Sequence, residues 1–277
     1  MASPRIVDAQ VHVWGANTPE RPWPPGREHL AQKPYPVTKE LILEGMDEAG
    51  IDRVVLVPPS WEGDRNDLAL EAARLHPDRF SVMGRIDLAR PQPDLISRWR
   101  EQPGMLGLRF TFHRGAQRAW LTDGTAEWAW QACEEHEVPV MVFVPGSVPA
   151  IGEVAARHPG LRLVIDHLAC HGEPGPERFA HLDDVLALAR FPNVAVKASA
   201  LPCMTTESYP FPSLQPIIRR VFDTFGPERT FWGTDWTRLP CTWREARDLF
   251  EVELDWLKGE DLEAVMGGAV CRWLGWE

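Results

Sequence analysis

The chain has 277 residues, 44% of them hydrophobic and 25% charged, with a net charge of −11. That length and balance suit one large globular domain around a single core. So acidic a chain, with no basic stripe, is a poor partner for nucleic acid or an anionic membrane. No apolar leader follows Met1-Ala2-Ser3-Pro4-Arg5 and no run reaches membrane-spanning length, so a cytoplasmic protein is expected.

Short, β-branched apolar runs recur along the chain, at 6–11, 53–57, 80–86, 106–110, 138–144, 161–165, 194–197 and 230–233. Each is nearly continuously hydrophobic, as expected of parallel strands covered by helices. Amphipathic segments fall between them, including 38–49, 65–75, 126–136, 148–157 and 214–225. Several stop at Gly50, Pro77 or Pro159, and a proline discourages helix in the residue before it. Eight alternations of strand and helix predict an α/β fold, the (β/α)8 TIM barrel. A doubly wound open sheet would carry a Gly-rich phosphate turn after its first strand, and none is present. Two stretches break the rhythm: a Pro-rich segment at about 15–36, read as an ordered flap over the barrel mouth, and 201–216. No second core or linker interrupts the chain, so residues 1–277 are read as one domain.

In such a barrel the chemistry sits at the C-terminal strand ends. The first run, Ile6-Val7-Asp8-Ala9-Gln10-Val11-His12, is expected to present Asp8, Gln10 and His12 on one face, because side chains alternate along a strand. Two later runs end in Asp166-His167 and in Thr234-Asp235-Trp236. An aspartate closing an apolar strand must be paired, metal-bound or used as a base. Two histidines and a carboxylate from different strands can hold Zn²⁺ or Mn²⁺, so His12, His167 and Asp235 form a candidate metal set as well as a candidate catalytic set. The bland alternatives are a buried hydrogen-bond network for the histidines and a helix cap for Asp235.

Arg85 and Arg109 at strand ends suggest an anion, since a buried guanidinium needs one and its fork matches a carboxylate. Structural ion pairs with Asp87, Asp166 or Glu62 compete with that reading. His113 and Lys197 join the candidate substrate contacts. Of the thirteen tryptophans, Trp23, Trp61 and Trp236 lie near strand ends or the flap, where flat walls would suit a planar ligand. Those on helices are core, or the surface of a homodimer. The five cysteines are scattered, without a C-x-x-C pair, which argues against disulfides or a zinc ribbon.

These residues resemble the amidohydrolase superfamily, and within it the amidohydrolase-2 group of lactonases and decarboxylases. The likeness runs from the opening strand through Asp166-His167-Leu168, Lys197-Ala198-Ser199 and Gly233-Thr234-Asp235-Trp236 to a terminal helix near 267–275. Related members include 2-pyrone-4,6-dicarboxylate hydrolase, sugar lactonases and aminocarboxymuconate semialdehyde decarboxylase. The resemblance implies that His12 is the second histidine of an H-x-H pair, His167 the strand-six histidine, and Asp235 the residue that activates water. Gln10 then stands at the first histidine's place, and an amide oxygen is a weaker ligand for Zn²⁺ than imidazole. The cofactor reading stays open between none and one divalent metal. The expected function is hydrolysis of a small carboxylated lactone or pyrone-like ester. The alternatives are a metal-dependent decarboxylase of an aromatic or muconate-type acid, and a non-catalytic ligand-binding barrel. In each case the partner is a small anionic molecule.

Overall fold

The computed structural model describes residues 6–277. Eight parallel strands form one sheet in sequence order: β1 (Val7–Val11), β2 (Arg53–Leu56), β3 (Phe80–Gly84), β4 (Met105–Thr111), β5 (Val140–Phe143), β6 (Leu163–Ile165), β7 (Val194–Ser199) and β8 (Thr230–Gly233). Beyond β8 the ring is joined back to β1, where the Asp235 N–H donates to the Gln10 carbonyl at 2.9 Å. This is a (β/α)8 barrel, and every strand position is buried, which is why the runs read as nearly unbroken hydrophobics.

Local chemistry sets the helices that cover it. The helix Lys39–Ala49 starts where the Thr38 side chain accepts from the Leu41 N–H, and stops at Gly50, whose φ of 72° favours glycine. The helix Trp243–Asp248 opens with a reciprocal cap between Thr242 and Glu245. Inside the barrel Val7, Ala9, Val55, Met83, Met141, Val164, Ala195 and Phe231 pack together, with Val270, Leu274 and Trp276 against them. A second, larger cluster lies between strands and helices. No helix among the described residues is long and apolar enough to cross a membrane.

The first strand departs from the expected alternation. Its register against β2 shifts between Asp8 and Val11, so one extra residue is accommodated and the facing of side chains changes phase. Val7 and Ala9 join the inner cluster while Val11 joins the outer one. Asp8 accordingly meets Trp243 Nε1 at 2.8 Å in the helical layer, whereas Gln10 reaches Lys197 of β7 at 2.7 Å. The three polar residues of β1 do not share one face.

Candidate active site

The strand ends enclose a cavity of about 360 Å³ at the C-terminal mouth, lined by His12, His167 and Asp235 together with Arg109, His113 and Trp61. Asp235 follows β8 in the left-handed region, at φ 52°, and His167 follows β6 at φ 53°. Leu168, Ala169 and Ala200 share that conformation. Left-handed backbone is uncommon for residues with a Cβ, and its concentration at the ends of β6, β7 and β8 marks strain held by the surrounding fold.

His12 presents Nδ1 to the Val57 carbonyl at 2.5 Å. A carbonyl only accepts, so Nδ1 carries the proton and Nε2 of the neutral ring is a bare acceptor. That Nε2 lies 3.3 Å from Asp235 Oδ1, which is buried without a hydrogen-bond partner. Two acceptors therefore lie side by side, an arrangement that calls for a shared proton donor approaching from the cavity. His167 sits on the other side, with Nδ1 at 2.8 Å from Ser199 Oγ and Nε2 at 3.9 Å from Asp235 Oδ2.

Burial lowers the pKa of His12, and it lowers that of His167 to about 4 against the pull of Asp235 and Asp166. For Asp235 burial acts upward, but His12, Arg238, His167 and Arg109 together bring its carboxyl below the usual value. Arg238 contributes a direct contact, Nε to Oδ2 at 3.1 Å. The side-chain amide of Gln32, from the Pro-rich segment, lies 2.9 and 3.1 Å from Nε and Nη2 of the same guanidinium. The segment is thus tied to the candidate base through one arginine. It is also anchored at its start, where Arg21 pairs with Glu62 at 2.8 Å.

Beneath the cavity floor lies a second layer in which Lys197, Asp166 and Gln10 are fully buried and Arg109 reaches up to the cavity. Lys197 Nζ is 2.9 Å from Asp166 Oδ1 and 2.7 Å from Gln10 Oε1, and Arg109 Nε is 2.9 Å from Asp166 Oδ2. Burial works to raise Asp166, but Lys197, Arg109 and His167 hold it far below the carboxylate range. Burial, with Arg109 acting in the same sense, lowers Lys197 from its ordinary value in spite of Asp166.

Several residues expected at the mouth lie elsewhere. Lys197 is fully buried in the lower layer and does not line the cavity. Trp236 stacks on Trp243, ring centroids 4.7 Å apart, and turns away from the site. Trp23 packs behind Trp61 at 4.7 Å, as the outer half of a wall whose inner half faces the cavity. Arg85 lines a separate, adjoining cavity. In their place the strand-following loops bring Arg114, His171, Arg178 and Arg238 to the mouth. Reading only strand ends could not find these, although placement in loops after β4, β6 and β8 is where a barrel keeps its substrate contacts. Cys170 and Cys203 also line the cavity, but burial pushes both thiols up to about 12, away from the thiolate that a nucleophile needs.

The metal set expected from the sequence is not gathered as such. Among the described residues no group of three or more His, Cys, Asp and Glu side chains is placed to hold a metal ion. The additional donor on β1, the Gln10 oxygen, is engaged by an ammonium group. The residues present do not fit a resident metal, and no chemical step is derived through one.

Comparison with known proteins agrees with this architecture. Residues 7–275 match the amidohydrolase family model. An L-fucono-1,5-lactonase of Burkholderia ambifaria is 31% identical over 83% of this chain and 79% of its own length. A 4-sulfomuconolactone hydrolase of Hydrogenophaga intermedia is 27% identical over 84% of this chain and 75% of its own. Among solved structures, an amidohydrolase of Burkholderia multivorans with bound zinc superposes with a TM-score of 0.81 at 21% identity, covering 99% of this chain and 100% of its own. At that identity the likeness is one of fold.

Proposed function

The chain belongs to the amidohydrolase family, and we propose that it is a lactonase-type hydrolase acting on a small carboxylated cyclic ester. One observation carries the choice of an anion. In a chain of net charge −11, the mouth is lined by Arg109, Arg114, Arg178 and Arg238, with Asp235 the sole carboxylate facing them among the described residues. Such a local reversal of sign concentrates anions and repels cations. The lactone reading draws support from the relatives, which are named as lactone hydrolases.

The mechanism follows from the two adjacent acceptors. A water on the cavity side of the His12 Nε2–Asp235 Oδ1 pair donates to Asp235 with His12 Nε2 beside it, which aims its lone pair at the ester carbonyl carbon. As the water oxygen bonds to that carbon, its proton passes to Asp235. With the Ser199 hydroxyl donating a hydrogen bond to His167 Nδ1, the ring's Nε2–H donates to the developing oxyanion, and Arg109 adds positive charge. Collapse breaks the ring C–O bond, and the departing alkoxide recovers the proton from Asp235. Arg114 and Arg178 hold the substrate carboxylate, and the Pro-rich segment with Trp23 and Trp61 covers it.

The test is a panel of lactones with and without a carboxylate, assayed with wild type and Asp235→Asn. A positioned general base is worth about 10²- to 10⁴-fold, so the variant should lose turnover on that scale while still binding the substrate. Equal turnover by both proteins refutes the assigned base.

A further inference from the structure

A second cavity, of about 230 Å³, adjoins the mouth and shares Ser60 and Thr111 with it as wall residues. Arg85, just beyond β3, lines this cavity and is 4% exposed. Its backbone is held on both sides by one residue: the N–H donates to Asn66 Oδ1 at 2.8 Å, and the carbonyl accepts from Asn66 Nδ2 at 2.9 Å. The guanidinium has no equivalent support. Nε and Nη1 are buried without a hydrogen-bond partner. The Asp64 carboxylate approaches Nε at only 3.4 Å, with its side chain 39% exposed.

The other charged groups facing this space are Arg27, which donates to the Ser60 carbonyl at 3.0 Å, and Asp87. Asp87 is already engaged by the Ala89 N–H at 3.0 Å and by Arg90 at 3.4 Å. Ile86, Leu88, Phe110 and Trp120 make the remaining walls apolar. Burial brings Arg85 down to about 10, with Asp64 acting upward and Arg109 and Arg27 acting downward.

A buried fork whose nearest acceptor is one partly exposed carboxylate at 3.4 Å is costly, and a planar group with two oxygens is its natural complement. We propose that this side cavity is a binding site for a compact carboxylate, gripped by Arg85 with Arg27 beside it. The carboxylate can be the far end of a substrate that extends from the mouth past Ser60 and Thr111, or a separate small acid. The first source rests on the lactonase reading, whereas binding of a free carboxylate does not.

The experiment therefore reads binding directly, in the full-length Asp235→Asn protein, with malonate as the probe. The Arg85 Nε–H resonance is assigned by its loss in Arg85→Lys and followed during titration. It should shift saturably with malonate. Asp64→Asn, which removes the carboxylate that pairs with Arg85, should tighten that binding by about two- to fivefold, the scale of such an ion pair. A resonance that malonate leaves unmoved, or an affinity unchanged by Asp64→Asn, overturns the proposal. A carboxylated lactone added next distinguishes the sources: displacement of malonate assigns the site to the substrate's far end, and simultaneous binding assigns it to a separate acid.

Discussion

Lowering the pH should silence the site near 4, well below the ordinary histidine range. His167 is 7% exposed and falls from 6.5 to about 4, chiefly through burial. At 1.36 kcal/mol per pH unit, that interval corresponds to roughly 3 kcal/mol favouring the neutral ring. His12 moves the same way for the same reason, and Asp235 lies below its ordinary value. Both imidazoles and the carboxylate are then in their working states across the neutral and mildly acidic range. Measured as kcat/KM on a carboxylated lactone, with spontaneous hydrolysis subtracted, activity should be flat through that range and fall as His167 is protonated, because its imidazolium then pairs with Asp235, 3.9 Å away, and takes the base out of use. Stability follows from the same shifts. Between 6.5 and about 4 the unfolded chain binds a proton that native His167 refuses, so its contribution is complete above 6.5 and lost as pH falls through about 4. Asp8 acts in the opposite sense. Burial raises it from 3.8 to about 6, so its contribution is complete below 3.8 and lost as pH rises through about 6. An acid limb centred in the ordinary histidine range, with the His167 ring resonance titrating there, would refute this assignment of charge states.

Three further outcomes are expected. Lys197→Met leaves Asp166 short of one cation and Gln10 without its donor, so denaturant unfolding should show a loss of about 3–5 kcal/mol; wild-type stability would contradict the buried network. Arg178, whose Nε and Nη1 lack partners at the mouth, should when changed to alanine raise KM for a carboxylated lactone by about tenfold or more. An equal effect on an uncharged lactone would show that Arg178 does not hold the carboxylate. Exhaustive chelation should leave turnover unchanged, and a loss restored by Zn²⁺ or Mn²⁺ would reinstate a metal-dependent reaction.

The barrel was legible because strands buried on both faces must be hydrophobic at nearly every position, and helices between them must not be. The catalytic candidates His12, His167 and Asp235 were legible for the complementary reason, as polar residues ending apolar runs. Legibility failed where position along a strand does not determine direction. The shift in β1 separates Asp8 from Gln10 and His12, and nothing in a seven-residue run announces an extra residue. Trp236 illustrates the same limit at β8. It directly follows Asp235 but lies flat on Trp243, closing over Gly45, where an added Cβ would meet the Trp236 ring at 3.0 Å. The arginines of the mouth were missed because they belong to loops, whose paths depend on contacts distant in sequence, such as that of Arg238 with Gln32.

The lower layer explains how one carboxylate can serve as a base in so cationic a mouth. Asp166 receives two cations, Lys197 and Arg109, so that group carries a net positive charge just below the floor. Gln10 is neutral, and its oxygen orients the ammonium without cancelling it. An imidazole in that place could accept the same hydrogen bond, but it could also take up a proton beside an ammonium group, at a steep electrostatic cost in a buried site. The amide avoids that second state. His12, Arg238, His167 and Arg109 together keep Asp235 ionised despite its burial, and the positive charge of the mouth draws an anionic substrate toward it. A base held below its ordinary pKa is a weaker proton acceptor, which is a cost for catalysis. The geometry offsets that cost: His12 Nε2 shares the water, so Asp235 need not bind and orient it alone. On this argument Lys197 is a positioning residue, and a conservative Lys197→Arg change that preserves the charge should retain more of kcat than Lys197→Met does.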